Sequence, residues 1–119
     1  MGTEIMGIPI DISSLMEQMK TAASDVANKD ISVLKGFSDR QVKAIAQQAA
    51  LVAAGIASGQ ITEETQEFFL DSLKTMAQNF VNTLQGLAKV TIEKVWNAMV
   101  GVLWGAIGTA TGIDLPAIA

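Results

Sequence analysis

From Val95 to Ile113 the chain runs for 19 residues without a charged side chain, directly after a strongly amphipathic stretch. A helix that lies on the surface of a soluble protein keeps one polar face. A helix that loses that face has to be covered by something. Glycines stand at positions 101, 105, 108 and 112 of this segment, and tryptophans at 96 and 104. Small residues at four-residue spacing let two helix backbones approach closely, and Gly101 and Gly105 form such a G-x-x-x-G pair, extended by Gly108 and Gly112. The length is close to the roughly 20 residues that cross a hydrocarbon core. Lys89 and Lys94 precede the segment and no basic residue follows it, which would leave the N-terminal bulk on the cytoplasmic side with Trp96 at the interface. Asn97, Thr109, Thr111 and the many Gly and Ala residues make the run only moderately apolar. Burial against other copies of the chain, and burial in the chain's own core, therefore stand as alternatives to membrane insertion.

The stretch that leads into this segment has the clearest periodicity in the sequence. Phe69, Leu73, Met76, Phe80, Leu84 and Leu87 fall on one helical face, continued by Val95, Met99, Val102 and Ala106. Glu67, Asp71, Lys74, Gln78, Asn82, Gln85, Lys89 and Glu93 fall on the other. Thr62 is a suitable cap, with Glu63, Glu64 and Glu67 in the first turns, where the helix dipole favours negative charge. No Pro interrupts the pattern, so the spacing predicts one helix over about 62–108, roughly 65–70 Å long if unbroken. Gly86 and Gly101 are the places where it could break.

Two shorter helices precede it. One is expected over about 11–28, starting near Asp11, with Ser14 and Glu17 as a capping box. Its apolar stripe is Ile12, Leu15, Met16, Met19, Ala23 and Val26. The second is expected over about 39–58. Ser38 and Gln41 form its S-x-x-Q box, Phe37 and Val42 a hydrophobic staple, and Gly59 a left-handed stop. Residues Ala44 to Thr62 also lack charge. Their alanines and glutamines suit a helix-packing segment; a second spanning or re-entrant helix is the other reading. Pro9 disfavours helix before it, so residues 1–10 read as an extended arm. The fold class is all-α, with an N-terminal arm (1–10) and a single helical domain (11–119) of three main helices whose apolar segment, 95–113, is buried in a membrane or an oligomer.

Composition removes most chemistries. The chain has 119 residues, no Cys and no His, and its 8 basic residues are scattered among 12 acidic ones. Nucleic acid needs clustered Lys and Arg, so it is not expected as a partner. The commonest general base and the commonest transition-metal ligand are both missing. A Ser–Lys pair such as Ser13 or Ser14 with Lys20 has nothing to place it in catalytic geometry. Glu63, Glu64, Glu67 and Asp71 are explained by capping and solvation, and no calcium-type loop is seen. No enzyme activity, cofactor or metal is expected. No secretory signal is visible, which leaves the cytoplasm or the inner face of a membrane. Met6 stands where a myristoylation motif wants Ser or Thr.

The expected function is a small structural or membrane-associated helical protein that acts as a homo-oligomer through its C-terminal helix, with lipid as a further possible partner. Trp96, Met99, Gly101, Trp104, Gly105 and Gly108 are the candidate self-association or membrane interface. Phe69, Leu73, Met76, Phe80, Leu84 and Leu87 are the candidate helix-packing stripe. Two rivals follow from the same features. One is a pore-forming or lysis-type membrane protein using both uncharged segments. The other is a soluble oligomeric module that binds a partner helix or an apolar ligand. Met16, Met19, Met76 and Met99 suit core filling and, alternatively, capture of a partner helix.

Overall fold

A computed structural model describes residues 10–113, and within them every regular element is helical. The expectations placed on residues 1–9, and on Asp114 and Pro116 as the end of the last helix, lie outside the described residues. The helices are α1 (Ile12–Ala27), α2 (Asp39–Ala57), α3 (Glu63–Asn82) and α4 (Lys89–Thr111), with one short 3-10 turn at Ile31–Val33.

The starts of the first three helices follow from side-chain caps. Asp11 caps α1 by accepting from the Ser14 amide at 3.1 Å. The expected Ser14–Glu17 box does not form; Ser14 is already inside the helix, and its hydroxyl accepts from the Gln18 side chain. Ser38 caps α2 by accepting from the Gln41 amide. Thr62 caps α3, and the box there is closed by Thr65, whose hydroxyl accepts from the Thr62 amide at 3.0 Å. Beyond α2, Gly59 adopts φ +84, as its role as a stop requires.

The single helix expected over 62–108 is two helices. α3 ends at Asn82, and residues 83–88 form a turn before α4. Local chemistry explains the break. The Thr83 hydroxyl turns back to within 2.6 Å of the Phe80 carbonyl, closing the last turn of α3. Gly86 then takes φ +91, a left-handed conformation that ends helical propagation. The turn is held from outside as well. The Gln85 amide donates to the Lys35 carbonyl at 2.9 Å, and Thr83 Oγ1 lies 3.0 Å from the Gly36 carbonyl oxygen. Gly36 itself has φ +92, and its lack of a side chain lets the Thr83 backbone lie against it. The 28–38 and 83–88 connections are thus clasped together at one end of the molecule.

α2 and α4 form the centre. They pack on each other, and each also packs on α1 and α3, while α1 and α3 are held apart. The start of α1 lies beside the end of α4, so these two run antiparallel. The core is apolar throughout, with no buried polar residue among those described. Its largest member is Phe80, fully buried and met edge-on by Phe37, with ring centroids 5.7 Å apart. Met19, Ile45, Leu73, Met99, Leu103 and Ile107 are among its other members.

Candidate functional site

Most of the uncharged C-terminal segment lies in α4, one of the bundle's two central helices. α4 buries Val95, Met99, Val100, Leu103 and Ile107 against the other three helices. At 3.6 residues per turn, Asn97, Gly101, Gly105 and Gly108 fall on the opposite side, the three glycines within an arc of roughly 60°. Asn97, Gly101 and Gly105 are exposed there, and Gly108 is half-buried. The segment therefore lacks charge for two separate reasons. One face is packed in the chain's own core. The other is an exposed, uncharged ridge about three turns long.

The six candidate interface residues divide between these faces. Met99 is fully buried and belongs to the core. Trp96 is half-buried, and its indole N–H donates to the Lys74 carbonyl at 3.0 Å, which ties α4 to α3. Gly101, Trp104, Gly105 and Gly108 remain on or beside the outer face. A Cβ placed on Gly105 would meet nothing within 4 Å, and one on Gly108 would meet only the Ile113 carbonyl oxygen at 3.2 Å. Packing within the chain does not require glycine at 105.

The Phe69–Leu87 stripe packs within the chain. Leu73, Phe80 and Leu84 are buried, and Phe69, Met76 and Leu87 are half-buried against the same core. The break at 83–88 places Leu84 and Leu87 in a turn outside α3, so the stripe does not form one continuous seam with Val95 and Met99. Of the α3 aromatics it is Phe68 that faces outward, 70% exposed.

Periodicity gave no hint of a groove beside the ridge. Ile10, Asp11, Ser14, Leu15 and Gln18 from the start of α1 line it together with Val102, Gly105, Ala106, Thr109 and Ala110 from the end of α4, around an open volume of about 500 Å³. Its signal was invisible because the two sides lie some ninety residues apart in sequence. A second, polar depression surrounds Lys20. There the ammonium pairs with Glu17 at 3.1 Å and Asp39 at 3.3 Å. The Glu17 contact is the main cause of a raised Lys20 pKa, with Asp39 adding to it. Nearby, the Ser32 hydroxyl and amide hold the Asp30 carboxyl below the usual aspartate value.

In the second depression the Ser32 hydroxyl donates to the Asp30 carboxylate at 2.7 Å, a local contact two residues apart that caps the 3-10 turn. Among the described residues no group of His, Cys, Asp or Glu is placed to hold a metal ion, and no buried side-chain polar atom lacks a partner. Among the same residues no helix is long and apolar enough to cross a membrane. In α4 the charges Lys89, Glu93 and Lys94, with Asn97 and the glycines, keep the hydropathy too low.

No protein-family model matches the chain, and no curated protein and no solved structure is detectably similar to it.

Proposed function

We propose that the protein is a non-enzymatic structural module that works by self-association through the outer face of α4. The observation that supports this is the exposed glycine at position 105, in the middle of a helix, with open space where its side chain would be. Glycine in a helix interior costs about 0.5–1 kcal/mol against alanine. A helix docked from outside gains from the flat surface that Gly101, Gly105 and Gly108 provide, because its backbone can come close along the whole ridge.

Sedimentation velocity over a concentration series tests the reading. The full chain is expected to sediment above its 12.5 kDa monomer mass, and Gly105→Leu to lower the mass of the assembly while leaving its helical circular dichroism intact. A wild-type chain that stays monomeric at every concentration refutes the proposal.

The groove along the edge of the same face favours a second reading, in which the module binds a partner helix or an apolar ligand between α1 and α4. In that case a 1:1 complex would form on a monomeric chain, and Ala106→Trp, which fills the groove, would abolish it.

A further inference from the structure

We infer that the protein has a second self-association surface, on the outer face of α2, where another copy of the chain docks antiparallel about Leu51. This surface is distinct from the α4 ridge. α2 and α4 pack on each other, so their outer faces point to opposite sides of the molecule.

The outer strip of α2 carries Ala44, Gln47, Leu51 and Ser58, all exposed, and no charge lies between Lys43 and Glu63. Leu51 is 61% exposed at the middle of that strip, a large apolar side chain with no packing role in its own fold. The two ends of the strip are opposite in charge. Arg40 and Lys43 stand exposed at its start, and neither forms an ion pair among the described residues. Glu63 and Glu64 stand exposed at the start of α3, just beyond its end.

This arrangement is self-complementary under a two-fold axis. Arg40 lies 11 residues before Leu51 on the same helix; beyond Leu51, α2 ends at Ala57 and the chain folds back, with the Ile61 amide donating to the Gly55 carbonyl, so that Glu63 and Glu64 stand near that end. An antiparallel copy centred at Leu51 therefore puts each basic start opposite the acidic end of its partner, and sets the two leucines against each other. A two-fold interface uses the same patch on both copies, so every favourable pair occurs twice. A parallel copy would instead place Arg40 beside Arg40 and Glu63 beside Glu63. Charge thus selects both the occupant and its direction.

Cross-linking tests the geometry, because the chain has no cysteine of its own. Leu51→Cys is expected to give a disulfide-linked dimer on mild oxidation. Thr75→Cys, exposed on α3 away from this strip, is expected to remain monomeric. Equal cross-linking of the two variants overturns the inference. A charge exchange tests the direction. Arg40→Glu and Glu63→Arg should each weaken association at low salt by about tenfold, since two exposed pairs are lost per dimer. The double variant Arg40→Glu/Glu63→Arg should restore it. If the double variant is as weak as either single one, the antiparallel pairing is wrong. Gly105→Leu reports on the α4 face alone and should leave Leu51→Cys cross-linking unchanged, so the two surfaces can fail separately.

Discussion

Replacing Gly36 by alanine attacks the clasp that turns α3 into α4. Two effects combine at this position. Gly36 has φ +92, which a residue with a side chain adopts at a cost of about 1–3 kcal/mol. The added Cβ would also fall on the Thr83 carbonyl oxygen, a backbone atom that cannot rotate away, with the Leu84 Cα close behind at 3.6 Å. The two connections must then separate. That puts at risk the Gln85–Lys35 backbone hydrogen bond and the Thr83 contact with the Gly36 carbonyl, each worth about 0.5–1.5 kcal/mol net. Together these give about 4 kcal/mol. For 119 residues at about 0.05–0.15 kcal/mol each, total stability is on the order of 6–18 kcal/mol. The loss is therefore a large fraction of it. Urea unfolding followed by circular dichroism should show a lower midpoint at unchanged slope. Gly86→Ala is the internal control. Gly86 has φ +91, but its Cβ would meet nothing within 4 Å, so only the conformational cost applies, about 1–3 kcal/mol. If the two variants lose the same stability to within about 0.5 kcal/mol, the clasp contributes nothing beyond backbone conformation and the reasoning fails.

Three further outcomes are expected. Gly105→Ala should stabilise the dissociated chain by about 0.5–1 kcal/mol in thermal unfolding at high dilution, because the helix gains propensity and the new methyl meets nothing; a loss of stability there would mean that the ridge is covered within the chain. Phe80→Ala should cost about 3–5 kcal/mol in urea, since the largest fully buried side chain is removed and Phe37 loses its edge-on partner. The Asp30 carboxyl should titrate below the ordinary aspartate value of about 3.9, chiefly through the Ser32 hydroxyl and then the Ser32 amide. Because the folded value is the lower one, the associated stabilisation is complete above the ordinary value and is lost as pH falls through the folded one. In an NMR titration Ser32→Ala should move Asp30 back up, and an unmoved resonance would remove the hydroxyl as the cause.

Helix positions were legible in the sequence wherever a cap and a period agreed. Ser38 and Thr62 mark their helices to the residue, because a hydroxyl accepting from the third amide is a local event. The division at 83–88 was not legible, since the hydrophobic period runs through it undisturbed. Leu84 is buried in the core although it lies outside any helix. What stops α3 is partly a contact with residues 35 and 36, nearly fifty positions away, and no local pattern encodes that. Met99 shows a similar limit. Its place on an apolar face was correct, but which neighbour covers that face depends on α1, α2 and α3 closing around it. Of the candidate site, the exposed part of the glycine ridge could be read from spacing alone. The groove with α1 could not.

The low charge of the chain follows from its topology. A four-helix arrangement with two central helices needs two segments that are apolar over a wide arc, and here these are the two charge-free runs, in α2 and α4. Charges are carried by α1, α3 and the ends of the bundle, where solvent is available. This accounts for the inner faces of α2 and α4. It does not account for their outer faces, where Gln47, Ser58, Asn97 and Thr109 show that polar residues are tolerated but Lys and Glu are absent along the middle of both strips. Solvation alone would permit a lysine at Leu51 or Gly105. Desolvation would not, because burying an unpaired charge in an interface is far more costly than burying a glycine or a leucine. If both strips are covered by other copies, one two-fold contact cannot satisfy them, since they face opposite ways. Assembly must then continue past the dimer into a closed dihedral set or an open tape. Blocking either strip alone, by Gly105→Leu or by Leu51→Glu, should stop it at dimers, and blocking both should leave the monomer.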